Sequence, residues 1–228
     1  MARDDTPRRP IPNRLIARLL PGRFLAAQLR RPSGRFGRWA MARALNDGNR
    51  DLIEATLDGL ALAETEDFLD VGFGGGYGLR LASRSTSGAL YGADFSPDMV
   101  VRAHGALVDL CRSGRLSLVT ADVASLPFRD GLVHAIATTN TIYFWPDLGG
   151  ALRELRRVVA PGGRVAFGYT GRDKMRGFSH ITDHGFTKFA PEDLEGPLAD
   201  AGFVEVQTRA LSGAVTEGDF VTTAVRAG

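Results

Sequence analysis

The chain of 228 residues is 44% hydrophobic, 24% charged and 8% aromatic, which is typical of one soluble globular domain with its own core. Its single cysteine, Cys111, excludes an internal disulfide, a zinc cluster built on thiolates and a two-thiol mechanism, and it favours a reducing cytoplasm. No run of residues approaches the roughly 20 apolar residues of a membrane span, and no apolar stretch follows residues 1–10 as it would in a signal peptide.

The charge is distributed unevenly along the chain. The net charge is +2, but residues 1–38 hold ten arginines and two aspartates, so this arm carries +8 and the remainder −6. A basic arm on a mildly acidic body suits an acidic substrate, a phosphate or a membrane surface. A solvated, flexible arm is the simpler interpretation.

The predicted elements alternate between helix and strand after a helical beginning. Residues 1–62 read as helices and turns, of which residues 51–62 are the most helical. Five strands are then predicted at residues 67–71, 89–93, 115–120, 132–138 and 164–169. Amphipathic helical faces lie between them, one formed by Val100, Ala103, Leu107 and Leu110, and another by Leu148, Leu152, Leu155 and Val159. This alternation predicts a parallel sheet with helices on both faces, and Pro161 with the two glycines after it should end the second helix.

The last third of the chain breaks the alternation. After a helix that begins near Pro191, Phe203–Ala210 and Asp219–Arg226 read as two strands joined by a short loop. A connection this short cannot cross over between parallel strands, so the pair should be antiparallel. The predicted architecture is therefore five parallel strands completed by an antiparallel hairpin.

A glycine-rich segment after the first strand is the strongest local signal. Residues 72–78 contain five glycines between a strand and a helix, where a nucleotide-like ligand meets the edge of an open sheet. The dinucleotide fingerprint fails in all three registers because positions 77, 79 and 81 are Tyr, Leu and Leu, and no Gly-Lys-Ser/Thr follows for a P-loop. An acidic residue followed by alternating glycines fits instead, at Asp70, Gly72, Gly74 and Gly76. A carboxylate at the entrance suits an ammonium group and would repel a pyrophosphate.

This segment resembles the first motif of class I S-adenosylmethionine-dependent methyltransferases. Over residues 45–226 further motifs follow in the family's order. Asp94, at the end of the second strand, is similar to the carboxylate that binds both ribose hydroxyls, and Asp122-Val123 resembles the pair that contacts adenine. Residues 126–131 and 155–165 resemble the family's connection into strand four and its helix, turn and fifth strand.

The resemblance implies a Rossmann-like, seven-stranded α/β fold and methyl transfer from S-adenosylmethionine to an O, N, S or C atom of a small molecule. The group it most resembles includes quinone-biosynthesis and natural-product enzymes, with S-adenosylhomocysteine as product and no metal. The cofactor residues it implies are Asp70, Gly72, Gly74, Gly76, Asp94, Phe95, Met99, Asp122, Val123 and Thr139. Residues 63–228 would form this core, and residues 1–62 a helical segment covering the site within the same domain.

Aromatic residues after the fourth strand are the predicted acceptor contacts. Tyr143 and Trp145 stand where a substrate would meet the sulfonium methyl, and Trp39 would reach the same pocket from the N-terminal cover. Asn140 and Tyr143 have the spacing of the amine-gripping motif of nucleic-acid methyltransferases, but Thr141 and Ile142 replace its prolines, so the likeness reads as coincidence. We expect residues 31–39 to be poorly ordered without ligand.

Catalysis of this kind can proceed without an essential base. An alcohol acceptor would benefit from one, and His184 after the fifth strand is the candidate, ahead of His180. His134, inside a predicted strand, reads as a structural residue.

Two other functions stay open at this point. One is a nucleic-acid-modifying or nucleic-acid-binding protein that uses the basic arm, and the other is a catalytically silent cofactor-binding protein. The favoured prediction is a cytoplasmic enzyme, monomer or homodimer, whose partner is a small-molecule acceptor, with no nucleic acid and no membrane span.

Overall fold

The computed structural model describes residues 20–34 and 48–228, and the structural statements that follow concern these two ranges. Helices and strands alternate through most of the second range. In chain order the elements are α1 (Gly22–Arg30), α2 (Arg50–Leu60), β1 (Phe68–Val71), α3 (Tyr77–Ser85), β2 (Leu90–Asp94), α4 (Pro97–Ala106), α5 (Val108–Arg112), β3 (Leu116–Thr120), β4 (Val133–Thr139), a 3₁₀ turn (Ile142–Phe144), α6 (Leu148–Val158), β5 (Val159–Thr170), α7 (Arg172–Arg176), α8 (Ser179–Thr182), a second 3₁₀ turn (Pro191–Leu194), α9 (Glu195–Asp200), β6 (Phe203–Ala210) and β7 (Asp219–Arg226).

The seven strands form one sheet in the order β3-β2-β1-β4-β5-β7-β6. The first five strands are parallel, and β7 runs antiparallel to both of its neighbours, β5 and β6. The predicted mainly parallel sheet with a C-terminal antiparallel hairpin is therefore confirmed. The strand order reverses between β1 and β4, and in open α/β sheets ligands bind outside the carboxyl ends of the strands at such a point.

Successive side chains of β1 point to opposite faces of the sheet and pack in two different hydrophobic clusters. Phe68 packs in one cluster with Leu60 of α2 and Leu79 of α3, while Leu69 packs in the other with Leu152 of α6. These five side chains are completely buried. A strand covered by helices on both faces has no polar face, which explains why Phe68, Leu69 and Val71 of β1 are all apolar, with Asp70 as the exception near the carboxyl end.

Helix α2 lies directly on the sheet. Leu52 packs with Val221 of β7, and Thr56 is buried against β5. A Cβ atom on Gly168 of β5 would overlap the Thr56 hydroxyl, so a glycine is what allows this close approach. The first turn of α2 is thereby placed beside the carboxyl end of β4.

Three predicted boundaries differ from the structure. The helix after β2 is divided at Leu107, whose backbone leaves the helical region, although Leu107 and Leu110 stay buried. The helix after β4 ends at Val158, because Val159 already pairs with Val133 and begins β5, which runs through a bulge around Gly162. The helix predicted near Pro191 is a 3₁₀ turn followed by the short α9.

Helix α1 is held against α8 rather than against the sheet. Gly22 lies so close to α8 that a Cβ atom there would overlap the carbonyl oxygen of His180. None of the helices in the two described ranges combines the length and the apolar character that a bilayer crossing needs.

Candidate functional site

A cavity opens at the carboxyl ends of β1, β2 and β4, where the strand order reverses. Most of the residues predicted for cofactor and acceptor line it, namely Asp70, Gly72, Gly74, Asp94, Phe95, Met99, Asp122, Val123, Thr139 and Trp145. Parallel strands end at one edge of the sheet, so residues far apart in sequence come together here.

Glycines form the floor of the cavity. Gly72 and Gly74 adopt positive φ angles of 75° and 52°, which side chains rarely tolerate, and a Cβ atom on Gly72 would overlap the Thr141 side chain. Gly78, which the sequence analysis did not select, also lines the cavity. A Cβ atom added to Gly78 would lie only 2.6 Å from Asp70 Oδ2, so a glycine leaves room for this carboxylate. Gly76 does not line the cavity: it caps α3 and faces Leu107.

Asp70 is a buried acid of the cavity with a raised pKa. Its carboxyl is buried, and burial together with the nearby charge of Asp94 raises the pKa to about 7. A cationic ligand beside Asp70 would offset both causes. The chemistry of this group therefore fits an ammonium-bearing cofactor.

Asp94 is held in a fixed orientation by backbone donors. The N–H of Gly74 donates to Oδ2 at 2.9 Å and the N–H of Ser96 donates to Oδ1 at 2.8 Å. Burial raises the pKa of Asp94, and these two bonds partly oppose the rise. One lone pair remains on each oxygen, which matches the two hydroxyls of a vicinal diol.

A flat slot adjoins these carboxylates. Phe95, 44% exposed, and the buried Met99 and Val123 supply its apolar surfaces, and Asp122 lies exposed at the rim, where it accepts the N–H of Ala124 at 3.0 Å. An aromatic base with an amino edge suits such a slot. The set of acceptors and apolar surfaces thus fits the ammonium, ribose and adenine groups of S-adenosylmethionine.

The rest of the cavity wall is mainly apolar. Phe144, Trp145 and Pro146 follow β4, and Leu29 of α1 and Ile53 of α2 face the same space. Trp145 is wedged against Phe167 of β5 with ring centroids 6.3 Å apart. The sequence analysis missed Leu29 and Ile53, because only the docking of α1 and α2 brings them to this edge of the sheet.

Tyr143 is placed behind this wall, contrary to the prediction that it contacts the acceptor. It is only 3% exposed, does not line the cavity, and stacks on Phe186 at 5.9 Å. Its hydroxyl donates to Oδ1 of Asn140 at 2.7 Å and accepts the N–H of Thr170. The 3₁₀ turn over Ile142–Phe144 aims the ring inward, so Tyr143 positions Asn140 instead.

The predicted general base is not brought to the cavity. His184 and His180 are exposed around α8 and lie against α1, and His134, at the amino end of β4, accepts the N–H of Asp67 at 3.1 Å. Trp39 lies outside the described residues. Within the two described ranges, no group of three or more His, Cys, Asp and Glu side chains could hold a metal.

The segment after α1 crosses one rim of the cavity. The Ser96 hydroxyl donates to the carbonyl of Pro32 at 2.5 Å, and the N–H of Gly34 donates to Asp98 Oδ2 at 2.7 Å. The guanidinium of Arg31 also lies 4.9 Å above the Phe95 ring. These contacts place residues 31–34 beside the aromatic side of the slot. The poor order expected for residues 31–39 without ligand stays a prediction.

Known proteins resemble the chain most over the first five strands. Residues 69–167 match the family model described as Methyltransferase domain. Malonyl-[acyl-carrier protein] O-methyltransferase of Geobacter sulfurreducens is 31% identical over 157 residues, which are 63% of this chain and 58% of that protein. The ubiquinone/menaquinone biosynthesis C-methyltransferase UbiE of Geotalea daltonii is 30% identical over 54% of this chain and 53% of its own length. The chain thus spans about half the length of the curated relatives it matches.

Solved structures extend the likeness to the whole sheet. A protein solved in complex with the Trm112 methyltransferase activator of Haloferax volcanii superposes with a TM-score of 0.74 at 19% identity, over 91% of this chain and 98% of that one. A SAM-dependent methyltransferase from Aquifex aeolicus gives 0.66 at 22% identity, over 82% and 97% of the two chains. Residues 69–167 are therefore similar in sequence to a methyltransferase domain, and these solved structures share the fold of most of the chain.

Proposed function

We propose that this protein transfers a methyl group from S-adenosylmethionine to a small-molecule acceptor. The observation that carries the proposal is the meeting of three carboxylates, Asp70, Asp94 and Asp122, from the ends of three strands above a floor of bare glycine backbone. The named relatives, which methylate a carrier-bound malonyl group or a quinone precursor by their names, support acceptors of this general size.

Each carboxylate has a separate part in holding the cofactor. Asp70 would bind the ammonium group, Asp94 the ribose diol, and Asp122 the amino edge of adenine, while Met99 and Val123 pack on its faces. The positive φ angles of Gly72 and Gly74 let the backbone approach the ligand, and Thr139 closes the far side. When bound, the cofactor supplies a methyl group activated on sulfur.

The chain contributes alignment and exclusion of water. Methyl transfer is an in-line displacement, so its rate depends on holding the nucleophile opposite the leaving sulfur. Trp145, Phe144 and Ile53 form a wall that packs against an acceptor and displaces water from it. Residues 1–62 would complete this enclosure as a cover over the core of residues 63–228.

The proposal is restricted to a metal-free reaction of a cytoplasmic monomer or homodimer that does not act on nucleic acid. Transfer that persists in a chelator tests the first point, and cell fractionation and sedimentation test location and assembly. Retention on immobilised polynucleotide at physiological salt would favour the nucleic-acid alternative, since such binding depends on phosphate contacts.

Calorimetry with S-adenosylhomocysteine tests the cofactor site directly. We expect a dissociation constant in the micromolar range, about −8 kcal/mol. Asp94→Ala should weaken binding by about 1–3 kcal/mol, because it removes a charged acceptor from two hydroxyls. Asp109→Ala is the matched control, since it removes an exposed carboxylate that pairs with Arg80 outside the cavity.

Two outcomes would contradict the proposal. One is binding of NAD with no heat from S-adenosylhomocysteine, and the other is equal affinity in the Asp94→Ala and Asp109→Ala proteins. A tritium-transfer screen over small acids, phenols, thiols and amines then separates an enzyme from a silent cofactor-binding protein.

A further inference from the structure

Two asparagines meet across the cavity. Asn140 follows β4 with a left-handed φ of 56°, and Asn49 immediately precedes α2. The Nδ2 group of Asn140 donates to Oδ1 of Asn49 at 3.1 Å, and both residues line the cavity. The methyl-transfer roles proposed above use neither amide.

The orientation of the Asn140 amide is fixed by its surroundings. The Tyr143 hydroxyl at 2.7 Å and the backbone N–H of Thr170 at 3.3 Å both face one atom of that amide. A backbone N–H can only donate, so this atom has to be the oxygen. Burial raises the pKa of Tyr143, which keeps its hydroxyl protonated and able to donate. The nitrogen therefore points to Asn49 and the cavity.

The hydrogen-bonding capacity that remains is mostly that of a donor. A carbonyl oxygen has two lone pairs and an amide nitrogen has two N–H groups. In Asn140 the oxygen accepts from the Tyr143 hydroxyl and from the Thr170 N–H, which it shares with the Tyr143 oxygen, and one N–H is engaged by Asn49, which leaves one N–H. In Asn49 one lone pair is engaged by Asn140, which leaves two N–H groups and one lone pair. Together the pair offers three N–H donors against one acceptor site.

We infer that Asn49 and Asn140 form a binding site for an electron-rich oxygen, of the carboxylate, enolate or phenolate class, and disfavour an amine. This inference rests on the proposed function and narrows it. N–H donors stabilise an oxygen anion, and they matter more here because the cavity also holds three carboxylates that would otherwise repel one. The oxygen belongs either to the acceptor or to the carboxylate of the bound cofactor.

The same contacts argue against an amine as the acceptor. The sequence places Asn140 and Tyr143 at the spacing of an amine-gripping motif, in which the amide oxygen must accept N–H bonds from the substrate. Here that oxygen already accepts from Tyr143 and Thr170. An amine would meet the N–H side of Asn140, where two donors face each other.

Two variants at one position test the site. Asn140→Asp keeps an oxygen for Tyr143 and Thr170 but replaces the nitrogen donor with a second oxygen. Asn140→Gly suits the left-handed backbone and removes the amide without adding charge. Thermal unfolding of both proteins checks that the fold is retained.

Binding is measured in two arms. In the acceptor arm, the protein saturated with S-adenosylhomocysteine is titrated with 4-nitrophenolate and with 4-nitroaniline, which differ mainly in the reactive atom. In the cofactor arm, the apoprotein is titrated with S-adenosylhomocysteine and with 5′-methylthioadenosine, which lacks the carboxylate and the ammonium group. The same titrations with the Asn49→Asp protein test the second asparagine of the pair.

Loss of about tenfold or more in 4-nitrophenolate affinity in the variants, with no loss of 4-nitroaniline affinity, assigns the oxygen to the acceptor. The same loss for S-adenosylhomocysteine, with 5′-methylthioadenosine unaffected, assigns it to the cofactor. Unchanged affinities in both arms would overturn the inference while wild-type binding of S-adenosylhomocysteine still upheld the proposed function. Absence of that wild-type binding would instead remove the proposed function.

Discussion

The negative charge of Asp70 is unfavourable in the ligand-free cavity. Its carboxyl is buried next to Asp94, and the resulting pKa of about 7 means that near neutral pH the free protein holds this group partly protonated. A cationic ligand would favour the ionised form. Binding and protonation are therefore coupled at this residue.

The coupling predicts that cofactor affinity rises with pH. Below about pH 7 the ammonium group must displace a proton from Asp70, so the affinity should fall toward about tenfold for each pH unit. Calorimetry with S-adenosylhomocysteine between about pH 6 and pH 8 measures this slope, which Asp70→Asn should flatten while weakening binding throughout. A flat wild-type profile over that range would show that Asp70 does not meet the cation.

The folding stability of the ligand-free protein should depend on pH in the opposite direction to the cofactor affinity, and it serves as a control. The folded pKa of Asp70 lies above its unfolded value of 3.8, so the native state binds more protons and loses stability as pH rises from about 4 to about 7. Asp70→Asn should remove this penalty, which amounts to at most about 4 kcal/mol for the shift cited. Denaturant unfolding at about pH 8 should then show a more stable variant that binds cofactor less well.

Residue placement was predictable where a strand dictates it. Asp94 is the last residue of β2, Asp70 is the last but one of β1, and Gly72 directly follows β1. The strand direction therefore decides where these residues lie. Tyr143 was not predictable, because the left-handed backbone of Asn140 and the 3₁₀ turn after it decide where the ring points. Asn49 depends on how α2 docks on the sheet, which no local pattern reveals.

At the scale of elements, the N-terminal helices are fixed by different means. Helix α2 is part of the layer that covers the sheet, because Gly168 admits Thr56 and Leu52 packs on β7. Helix α1 instead rests on α8, and residues 31–34 rest on the β2–α4 connection. We expect α1 to open more readily than α2, which is how a cover over the acceptor would admit its ligand.

A methyl group at Gly22 should release α1. In Gly22→Ala the new Cβ would overlap a backbone carbonyl of α8, which cannot rotate away as a side chain could. Hydrogen exchange of the amides in Gly22–Arg30 should accelerate by about tenfold or more, equivalent to about 1.4 kcal/mol. Exchange in α2 should change little.

Gly105→Ala is the matched control for this substitution. Gly105 lies within α4 and its new Cβ would have open space around it, so alanine there should be neutral or stabilising by up to about 1 kcal/mol. Equal α1 exchange in the Gly22→Ala and Gly105→Ala proteins would contradict the tight contact between α1 and α8.

Helices and strands were predictable to the extent that their periodicity is local. The hairpin of Phe203–Ala210 and Asp219–Arg226 matches its predicted bounds because a short loop separates two clear strand patterns. The break at Leu107 was not predictable, since Leu107 and Leu110 continue the apolar spacing of α4 and stay buried on both sides of it. Packing rather than pattern ends that helix.

For the whole molecule, binding at the cavity should stabilise the entire sheet. The cavity draws residues from β1, β2 and β4, so unfolding that separates these strands destroys the binding site. Saturation with S-adenosylhomocysteine at about 100 times its dissociation constant adds about 2.7 kcal/mol, which for a chain of this size raises Tm by roughly 5–10 °C. Differential scanning fluorimetry measures the shift.

Asp94→Ala at the same ligand concentration supplies the comparison. Its weaker binding should reduce the rise in Tm, whereas Asp109→Ala should keep it. An unchanged wild-type Tm in saturating S-adenosylhomocysteine would mean that the ligand does not bind the folded protein in preference to the unfolded chain.

The position of β7 also constrains how the protein is made. The strand follows β6 in sequence yet lies between β5 and β6, so neither of those strands has its final neighbour on that side until β7 has left the ribosome. A nascent chain that has completed β1 to β5 exposes the unpaired edge of β5, a surface that recruits other strands. We expect the cell to protect this edge during translation, and a slow codon tract just before Asp219 would lengthen the time for which it is open to aggregation.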